Sequence, residues 1–252
     1  KAHNAELEYL DMLNRHIVDG VITGVHSLDV EAYKKIKKPI VAFDRYLGED
    51  IPVVTVDHKE GGRLAAEILL KNGCKKIVHF RGATAVESPY HERHFEFARI
   101  MKEQGVECFD YELAWNKFDL EYYKYAVKDL FDRLDEWEFD GIFGTDLVAI
   151  ECMNEVIRRH KKVPKDVKCV AYDGTYITQI VEPSVTSIVQ PIKELAKEAA
   201  RLICELVNGK TYKNEKVTLG RTPLASQNIC EKGENNNGIV KMHKNSAQNL
   251  IK

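Results

Sequence analysis

VKCVAYDGTYITQIVEPSVTSIVQ, residues 167–190, is the stretch that decides the fold. It opens with an apolar run at 167–172 that is rich in β-branched and aromatic residues, which predicts a buried strand. The run ends at the turn signal Asp173-Gly174, and a second β-branched run follows at 185–189. The next proline, Pro191, is tolerated at the first position of a helix. One segment therefore predicts a strand, an acid at its end, a second strand and the start of a helix.

Asp173 has two interpretations on spacing alone. In open α/β sheets, ligands bind in the crevice beyond the carboxyl ends of the strands, which would make this carboxylate a ligand contact. Aspartate also commonly caps the turn that follows it, which would give the side chain a purely local role. The neighbouring residues leave both interpretations open.

Helical and strand patterns alternate along the whole chain. The other predicted strands are 17–23, 40–43, 51–56, 76–80, 108–114, 140–144 and 217–219. The predicted helices are 6–15, 30–37, 60–71, 91–104, 119–134, 146–160 and 192–207. Repeated strand–helix–strand units predict parallel sheets with helices on both faces. The strands form one group before Gly73 and another after Lys75, which favours two α/β lobes with a cleft between them.

Composition limits the classes of function. The chain is 44% hydrophobic and 30% charged, which is typical of a globular protein, and its net charge of −2 provides no basic field for nucleic acid. No apolar run approaches the ~18 residues of a membrane span, and the N-terminal residues are charged where a signal peptide is apolar. The six cysteines form no CxxC pair and are interpreted as reduced thiols of a cytosolic protein. No catalytic triad, metal-spaced cluster or cofactor fingerprint is recognised, so neither an enzyme nor a cofactor is predicted.

Five blocks of the sequence resemble the sensor core of the lactose/galactose repressor family. They are VDGVI (18–22), PIVAFDR (39–45), VTVDHKEGGRLAAEILLKNGCKKIVHFRG (54–82), FDGIFGTDLVAIECMNEV (139–156) and VPKDVKCVAYDGTYITQIVEPSVTSIVQPIKELAKEAARLI (163–203). They match that core in order and spacing, from about residue 6 to about residue 210. Two further pieces, HSLDVEAY (26–33) and FDRYL (43–47), look most like the sucrose-operon repressor branch.

The resemblance implies an α/β fold of two periplasmic-binding-protein-like, Rossmann-like lobes with parallel sheets, joined by three hinge crossovers. The first lobe would hold residues 1–74 and the helix 191–210. The second would hold 75–189 and the last strand near 216–224. The family's DNA-binding head and the first strand–helix unit of the first lobe are expected to be absent from this chain. The tail 231–252 is expected to be poorly ordered, because it is rich in Asn, Lys and Gln.

The resemblance also implies a function. A sugar or sugar-phosphate effector would bind between the lobes of each subunit of a cytoplasmic homodimer. Binding would control the affinity of the full-length protein for operator DNA, which it contacts through the helix-turn-helix head that is absent here. No membrane partner is expected. The alternative is the sugar-binding protein of a transporter, which would need an export signal and would tolerate few free cysteines.

The family assigns seven effector contacts to this sequence: Asp173, Arg93, Phe118, Asp44, Thr145, Asp146 and Gln190. Asp173 would accept hydrogen bonds from two adjacent sugar hydroxyls, because an ionised carboxylate is a strong double acceptor. Asp44 would contact the effector, or else form a surface turn with Arg45. Arg93 suits a forked contact with hydroxyls, or with the phosphate of a sugar phosphate.

The remaining assignments also have alternatives. Thr145 stands where the family usually has Asn, and Asp146 is a natural N-cap for the next helix. Phe118 would lie against the sugar ring, with Trp115 as a rival and core packing as the plainer interpretation. Gln190 lies between the lobes and could be a ligand contact or a hinge residue.

Two further features receive structural interpretations. His79 is taken as a half-buried ring on a strand. Gly61-Gly62 lacks the spacing of a phosphate-binding loop and is interpreted as close packing at the start of a helix.

Overall fold

The computed structural model describes residues 2–24, 30–84, 87–115, 117, 119–134, 138–220 and 224–225. Its strands are β1 (Val21–Thr23), β2 (Ile40–Phe43), β3 (Val53–Val56), β4 (Lys76–Arg81), β5 (Glu107–Glu112), β6 (Gly141–Thr145), β7 (Lys168–Asp173), β8 (Thr186–Val189), β9 (Lys216–Leu219) and β10 (Leu224–Ala225). Its helices are α1 (Ala2–Asn14), α2 (Val30–Lys34), α3 (His58–Lys71), α4 (His91–Glu103), α5 (Leu120–Leu134), α6 (Asp146–Arg158), α7 (Ile177–Ile180) and α8 (Ile192–Val207).

The smaller of two sheets has four parallel strands in the order β1-β2-β3-β9. Its central strands read IVAF and VVTV and are almost wholly buried, because strands covered on both faces need continuous apolar runs. Side chains of α1 and α2 pack on one face of this sheet. The apolar stripe of α8 packs on the other face, through Leu195, Ala199 and Leu202. This sheet and these helices form the first lobe.

The larger sheet has six strands in the order β10-β8-β7-β6-β4-β5, and only β10 runs antiparallel to its neighbour. The helices α3 and α4 cover one face of this sheet, and α5 and α6 cover the other. The direction of strand addition reverses between β4 and β6. Such a reversal opens a crevice beyond the carboxyl ends of the strands, where ligands bind in open α/β sheets.

The boundary between the lobes falls earlier than the predicted residue 74. Ala65 and Leu69 of α3 share one core cluster with Phe97 of α4 and Tyr172 of β7. The apolar stripe of α3 is therefore buried against the larger sheet, and the helix belongs to the second lobe. The chain crosses between lobes at Asp57, which separates β3 from α3.

The sequence predicts that the segment 216–224 belongs to the second lobe. The structure divides this segment between the two lobes. The strand β9 pairs in parallel with β3, and its four residues face Val53 to Val56. It therefore covers the open edge of the smaller sheet, whose unpaired backbone groups would otherwise face solvent. Only β10 joins the larger sheet. The chain thus passes between sheets at Asp57, around Gln190-Pro191, and between β9 and β10.

Local sequence signals were more accurate than these lobe boundaries. Gly73 has a φ of +76° just beyond α3, the left-handed conformation that glycine often adopts where a helix ends. Asp119 caps the N-terminus of α5, because its Oδ1 accepts a hydrogen bond of 2.8 Å from the Tyr122 amide.

Among the residues that the structure describes, no helix combines the length and the apolar character needed to cross a bilayer. The five cysteines in this part of the chain are free thiols, and Cys74, Cys152 and Cys169 are buried. The tail 231–252 and Phe118 lie outside the described residues.

Candidate ligand-binding site

A cavity of about 600 Å³ lies where the carboxyl ends of strands from both sheets meet. This volume is within the usual range of small-molecule sites. The first lobe contributes the end of β2, and the second lobe contributes the ends of β4, β6 and β7. The cavity is lined by six of the seven predicted contacts: Asp44, Arg93, Thr145, Asp146, Asp173 and Gln190. Trp115, the predicted rival of Phe118, also lines it.

Asp173 ends β7 with a φ of +116°, which non-glycine residues rarely adopt. Its Oδ1 accepts a hydrogen bond of 2.7 Å from Nε2 of Gln190 and lies 4.0 Å from Nη1 of Arg93. About a third of the side chain (34%) is exposed. The side chain therefore does not cap the following turn, which was the alternative interpretation. It joins the crossover instead, and Asp173 is one of the residues that line the cavity.

The surroundings of Asp173 destabilise the ionised form of its side chain. Burial raises the pKa of Asp173 to about 6, and the nearby carboxylates of Asp146 and Asp44 add to that effect. Arg93 and Gln190 act in the opposite direction but do not cancel it. A carboxylate held in this way gains from a ligand that donates hydrogen bonds to its ionised form.

Asp146 organises the loop that follows Asp173. Its side chain is almost fully buried, and it accepts hydrogen bonds from the Thr175 amide (2.6 Å), the Thr175 hydroxyl (2.7 Å) and the Ser187 hydroxyl (2.7 Å). The predicted capping role is wrong, because Thr145 occupies the N-cap position and Asp146 is the first residue of α6. The acid instead fixes the loop between β7 and α7 to β8, and thereby the backbone that carries Asp173.

Asparagine at position 146 should loosen this loop. Asp146→Asn replaces one acceptor oxygen with an amino group that faces donors, so we expect unfolding to become easier by about 2 kcal/mol. The matched control is Asp119→Asn, because asparagine caps helices as well as aspartate does and should change stability by less than about 0.5 kcal/mol. Urea denaturation of both variants measures the difference. Equal stabilities would show that the buried acid does not anchor the loop.

Asp44 connects the two lobes through a buried histidine. Its Oδ1 accepts a hydrogen bond of 2.9 Å from Nε2 of His58, and the hydroxyl of Thr55 donates to the same oxygen. The other nitrogen of His58, Nδ1, lies 3.1 Å from the hydroxyl of Tyr172 on β7. The Asp44–Arg45 pair is therefore not a surface turn, which was the alternative interpretation. Both residues are largely buried at the contact between the lobes.

The pKa shifts of Asp44 and His58 indicate which of the two side chains is charged. Burial alone would raise the pKa of Asp44, but His58, Thr55 and Arg93 outweigh burial and hold that pKa below its usual value. Burial lowers the pKa of His58 despite the neighbouring carboxylate. The neutral imidazole must then carry its proton on Nε2, toward Asp44, and accept from the Tyr172 hydroxyl at Nδ1. Asp44 is left ionised at the wall of the cavity.

Arg93 lies at the start of α4, with its guanidinium group over the ring of Tyr172 at 4.2 Å and over the ring of Tyr90 at 5.4 Å. The side chain is largely buried. The two rings restrict the plane of the guanidinium, so its amino groups have a defined direction toward Asp173. This geometry suits a fixed donor for hydroxyl or phosphate oxygens.

Thr145 and Gln190 have smaller parts in the site. Thr145 ends β6 and makes no side-chain capping bond, so its hydroxyl remains beside the cavity. Gln190 lies at the second crossover, and its amide N–H donates to the carbonyl oxygen of Asp173 at 3.1 Å. Gln190 thus ties the crossover to Asp173 through both its backbone and its side chain.

Two residues that join the lobes beside the cavity, His58 and Arg45, were not anticipated from the sequence. Nη1 of Arg45 donates to the Ser88 hydroxyl at 3.0 Å, and its guanidinium lies 5.0 Å from the ring of Tyr90 and 5.1 Å from that of Trp115. These contacts cross from the first lobe to the second. The available signals were the position of Arg45 directly after a strand-end acid, and that of His58 directly after the crossover.

Within the described part of the chain, no cluster of three or more His, Cys, Asp or Glu side chains is arranged to hold a metal ion. The cavity is lined by carboxylates, arginines, a lysine, a histidine, an amide, hydroxyls, aromatic rings and aliphatic side chains. Such a set suits a polyhydroxylated ligand, whose hydroxyls both donate and accept hydrogen bonds and whose C–H faces pack on rings.

Comparison with known proteins gives a consistent picture. Residues 66–224 match the model of the periplasmic binding protein-like domain family. The sucrose operon repressor of Streptococcus mutans is 34% identical over 192 residues, which is 76% of this chain and 58% of that protein. The ribose operon repressor of Halalkalibacterium halodurans is 33% identical over 214 residues, which is 83% of this chain and 63% of that protein. The chain therefore spans about three fifths of the length of these relatives.

A solved structure agrees with these matches. The chain is similar to a periplasmic binding protein/LacI transcriptional regulator from Alkaliphilus metalliredigens, solved as a complex with D-xylulofuranose. The two share 27% identity with a TM-score of 0.76, over 89% of this chain and 82% of the other.

Proposed function

Because this chain belongs to the lactose/galactose repressor family and contains its periplasmic binding protein-like domain, we propose that it senses a sugar effector for a transcriptional repressor. The effector binds in the cleft between the lobes and changes how the full-length protein holds its operator DNA. The curated relatives are named as repressors, which favours this function over that of a transport-associated sugar-binding protein.

One observation carries the proposal: two acids from opposite lobes face a single cavity. Asp44 ends β2 of the first lobe and Asp173 ends β7 of the second, and each has one carboxylate oxygen engaged by protein donors. On this proposal, the other oxygen of each acid accepts hydrogen bonds from the ligand. A ligand with hydroxyls at both ends can donate to both acids at once, and the charge on the acceptors strengthens those bonds.

Such a ligand would link the positions of the two lobes. Its binding stabilises whichever angle between the lobes brings Asp44 and Asp173 to the right separation, because a ligand shifts an equilibrium only by its difference in affinity for the two states. In the full-length protein, which we propose is a cytoplasmic homodimer, this angle would set the spacing of two DNA-binding heads. The sugar would then change operator affinity by about 5- to 150-fold, the usual range of such coupling.

The class of effector can be tested directly on this chain. Isothermal titration calorimetry with sucrose, ribose and D-xylulose, together with a phosphate ester of each, covers the sugars that the relatives' names and the related complex suggest. We expect heat of binding from at least one sugar or sugar phosphate, and none from adenosine. Arg93 would recognise a hydroxyl in the first case and the ester group in the second. Absence of binding across the whole panel would contradict the proposal.

Binding should weaken in acid. The pKa of Asp173 is about 6 in the ligand-free protein, so lowering the pH from 7.5 to 5.0 converts it from a double acceptor to a neutral acid. If the sugar requires the ionised form, the dissociation constant should rise roughly tenfold across that interval. Calorimetric titrations at half-unit steps of pH provide the profile.

The ionisation of Asp173 itself separates this effect from other titrations. Carbon-13 NMR of its carboxyl carbon in the sugar-free chain follows that one side chain as the pH falls. The binding profile should bend near pH 6, at the pKa that this titration gives. A profile that stays level down to pH 5.0 would mean that the ionised carboxylate does not hold the sugar.

A further inference from the structure

A buried chain of hydrogen bonds leads from the far edge of the larger sheet to Arg93. Nδ1 of His79 on β4 lies 3.0 Å from Oδ1 of Asp110 on β5. Nε2 of the same ring lies 2.9 Å from Nδ1 of His94, and Nε2 of His94 lies 3.3 Å from Nε of Arg93. Both imidazoles are almost fully buried. His94 borders the cavity, and His79 lies behind it on β4.

The two ends of the chain determine where its protons lie. Asp110 can only accept, so His79 donates from Nδ1, and as a neutral ring it accepts at Nε2. His94 must then donate from Nδ1 to His79, which leaves its own Nε2 as the acceptor for the N–H of Arg93. Burial lowers the pKa of both histidines, and for His94 the positive charge of Arg93 adds to the effect. Both rings are therefore neutral Nδ1–H tautomers.

The geometry around Arg93 shows what this arrangement achieves. Arginine and aspartate usually form a direct pair at about 2.8 Å, yet Nη1 of Arg93 lies 4.0 Å from Asp173. The Nε–H of Arg93 points instead to His94, while its guanidinium rests on Tyr172. Without that acceptor, the guanidinium would still be able to turn within the plane that the two rings allow and close the remaining distance to Asp173.

We propose that His94, oriented by His79 and Asp110, is a positioning residue that holds Arg93 back from Asp173 and so keeps both groups open to the effector. This role rests on the proposed function where it concerns effector binding. The position of Arg93 itself is a property of the ligand-free chain and can be tested without any sugar. A direct Arg93–Asp173 pair would occupy the carboxylate that the effector needs, so specificity for hydroxyl donors depends on this restraint.

Three variants at position 94 separate positioning from packing. His94→Leu keeps an apolar side chain of similar size but removes both hydrogen bonds. His94→Gln can place an amide oxygen near the position of Nε2 and restore the acceptor for Arg93. His94→Asn can restore only the donor to His79, because its amide reaches about as far as Nδ1. Phe95→Leu, at the exposed neighbouring position, is the matched control for a change in α4.

The first measurement is the pKa of Asp173 in the full 252-residue chain without sugar. Carbon-13 NMR of its carboxyl carbon, recorded as a function of pH, gives this value. In the unchanged protein it should be near 6. In His94→Leu and His94→Asn, closure of Arg93 onto the carboxylate should lower this pKa by at least about one pH unit, as a close arginine does. His94→Gln and Phe95→Leu should leave it near the original value.

The second measurement is the affinity for sucrose and for ribose by calorimetry. We expect the leucine and asparagine variants to bind the accepted sugar about tenfold more weakly, and the glutamine variant to recover most of the loss. An unchanged Asp173 pKa in His94→Leu, or equal rescue by asparagine and glutamine, would overturn the positioning role. If the unchanged protein binds neither sugar, the proposed function fails for these sugars, while the pKa measurement still decides whether His94 restrains Arg93.

Discussion

Asp173→Asn is expected to abolish measurable sugar binding while leaving the fold intact. Hydrogen bonds to a charged acceptor contribute about 1.5–3 kcal/mol each, and the substitution also places a donor where the sugar donates, so we expect a loss of about 100-fold or more. Asparagine has nearly the same shape and tolerates the positive φ of this position. Calorimetric titration of the variant with the sugar that binds the unchanged protein measures the effect.

The stability of the same variant should move in the opposite direction. Because the pKa of Asp173 is raised to about 6 in the folded chain, its charge opposes folding above that pH, and this cost disappears as the pH falls through 6 toward the unfolded value. Removing the charge should therefore leave stability at pH 7 unchanged or raise it by about 1 kcal/mol, after allowance for solvent screening of a partly exposed group.

A matched control makes this pair of results specific. Asp132→Asn changes an exposed acid of α5 to its amide and should alter neither affinity nor stability. Sugar binding by Asp173→Asn at full strength would remove Asp173 from the site. Loss of binding together with a large loss of stability would assign the acid a structural role instead.

Gly62→Ala is expected to cause the largest loss of stability among single substitutions near the site. A β-carbon at Gly62 would lie 2.2 Å from the carbonyl oxygen and 2.9 Å from the Cα atom of Arg93. The obstruction is backbone, so α3 and α4 must move apart. Alanine is favoured over glycine in a helix by about 1 kcal/mol, but overpacking of this kind costs more, and we expect a net loss of about 3 kcal/mol. Urea denaturation measures it.

The same substitution should also reduce sugar affinity, because it displaces the backbone of Arg93 and with it the guanidinium group at the cavity. The control is Gly220→Ala, where a β-carbon would meet no atom within 4 Å. That variant should keep both stability and affinity. If Gly62→Ala were as stable as the unchanged protein, the close approach of α3 and α4 at this glycine would not be a requirement of the fold.

The pattern of elements and the position of Asp173 at the end of a strand could be predicted from the sequence because both depend on local signals. Apolar runs of β-branched residues specify buried strands, and the Gly61-Gly62 pair was correctly interpreted as close packing. The family resemblance then identified residues at strand ends, and the structure brings six of them to one cavity. Phe118 stays a prediction, because it lies outside the described residues.

The assignment of elements to lobes was wrong where tertiary packing decides which sheet an element joins. The sequence of α3 shows an apolar stripe but not which sheet will cover it, so its assignment to the first lobe was wrong. Likewise, β9 is a short β-branched segment that could have completed either sheet, and it pairs with β3. The sequence of a strand or helix does not indicate which sheet it packs on when both lobes have apolar surface to cover.

Polar networks were harder still to anticipate. Asp146 has the residue type and position of a helix cap, yet its partners come from residues 28 to 41 positions away. His94 follows Arg93 directly in sequence, but its role depends on His79, which lies on a different element. Such networks become visible only when side-chain directions are known, because hydrogen bonds depend on orientation as well as proximity.

The most direct test of the central claim is a crystal structure of this chain with the sugar that binds most tightly in the calorimetric panel. We predict a sugar between the lobes, with two adjacent hydroxyl oxygens within about 3 Å of the carboxylate of Asp173 and another hydroxyl near that of Asp44. A sugar bound outside this cleft, or a carboxylate at position 173 that turns away from it, would contradict the account.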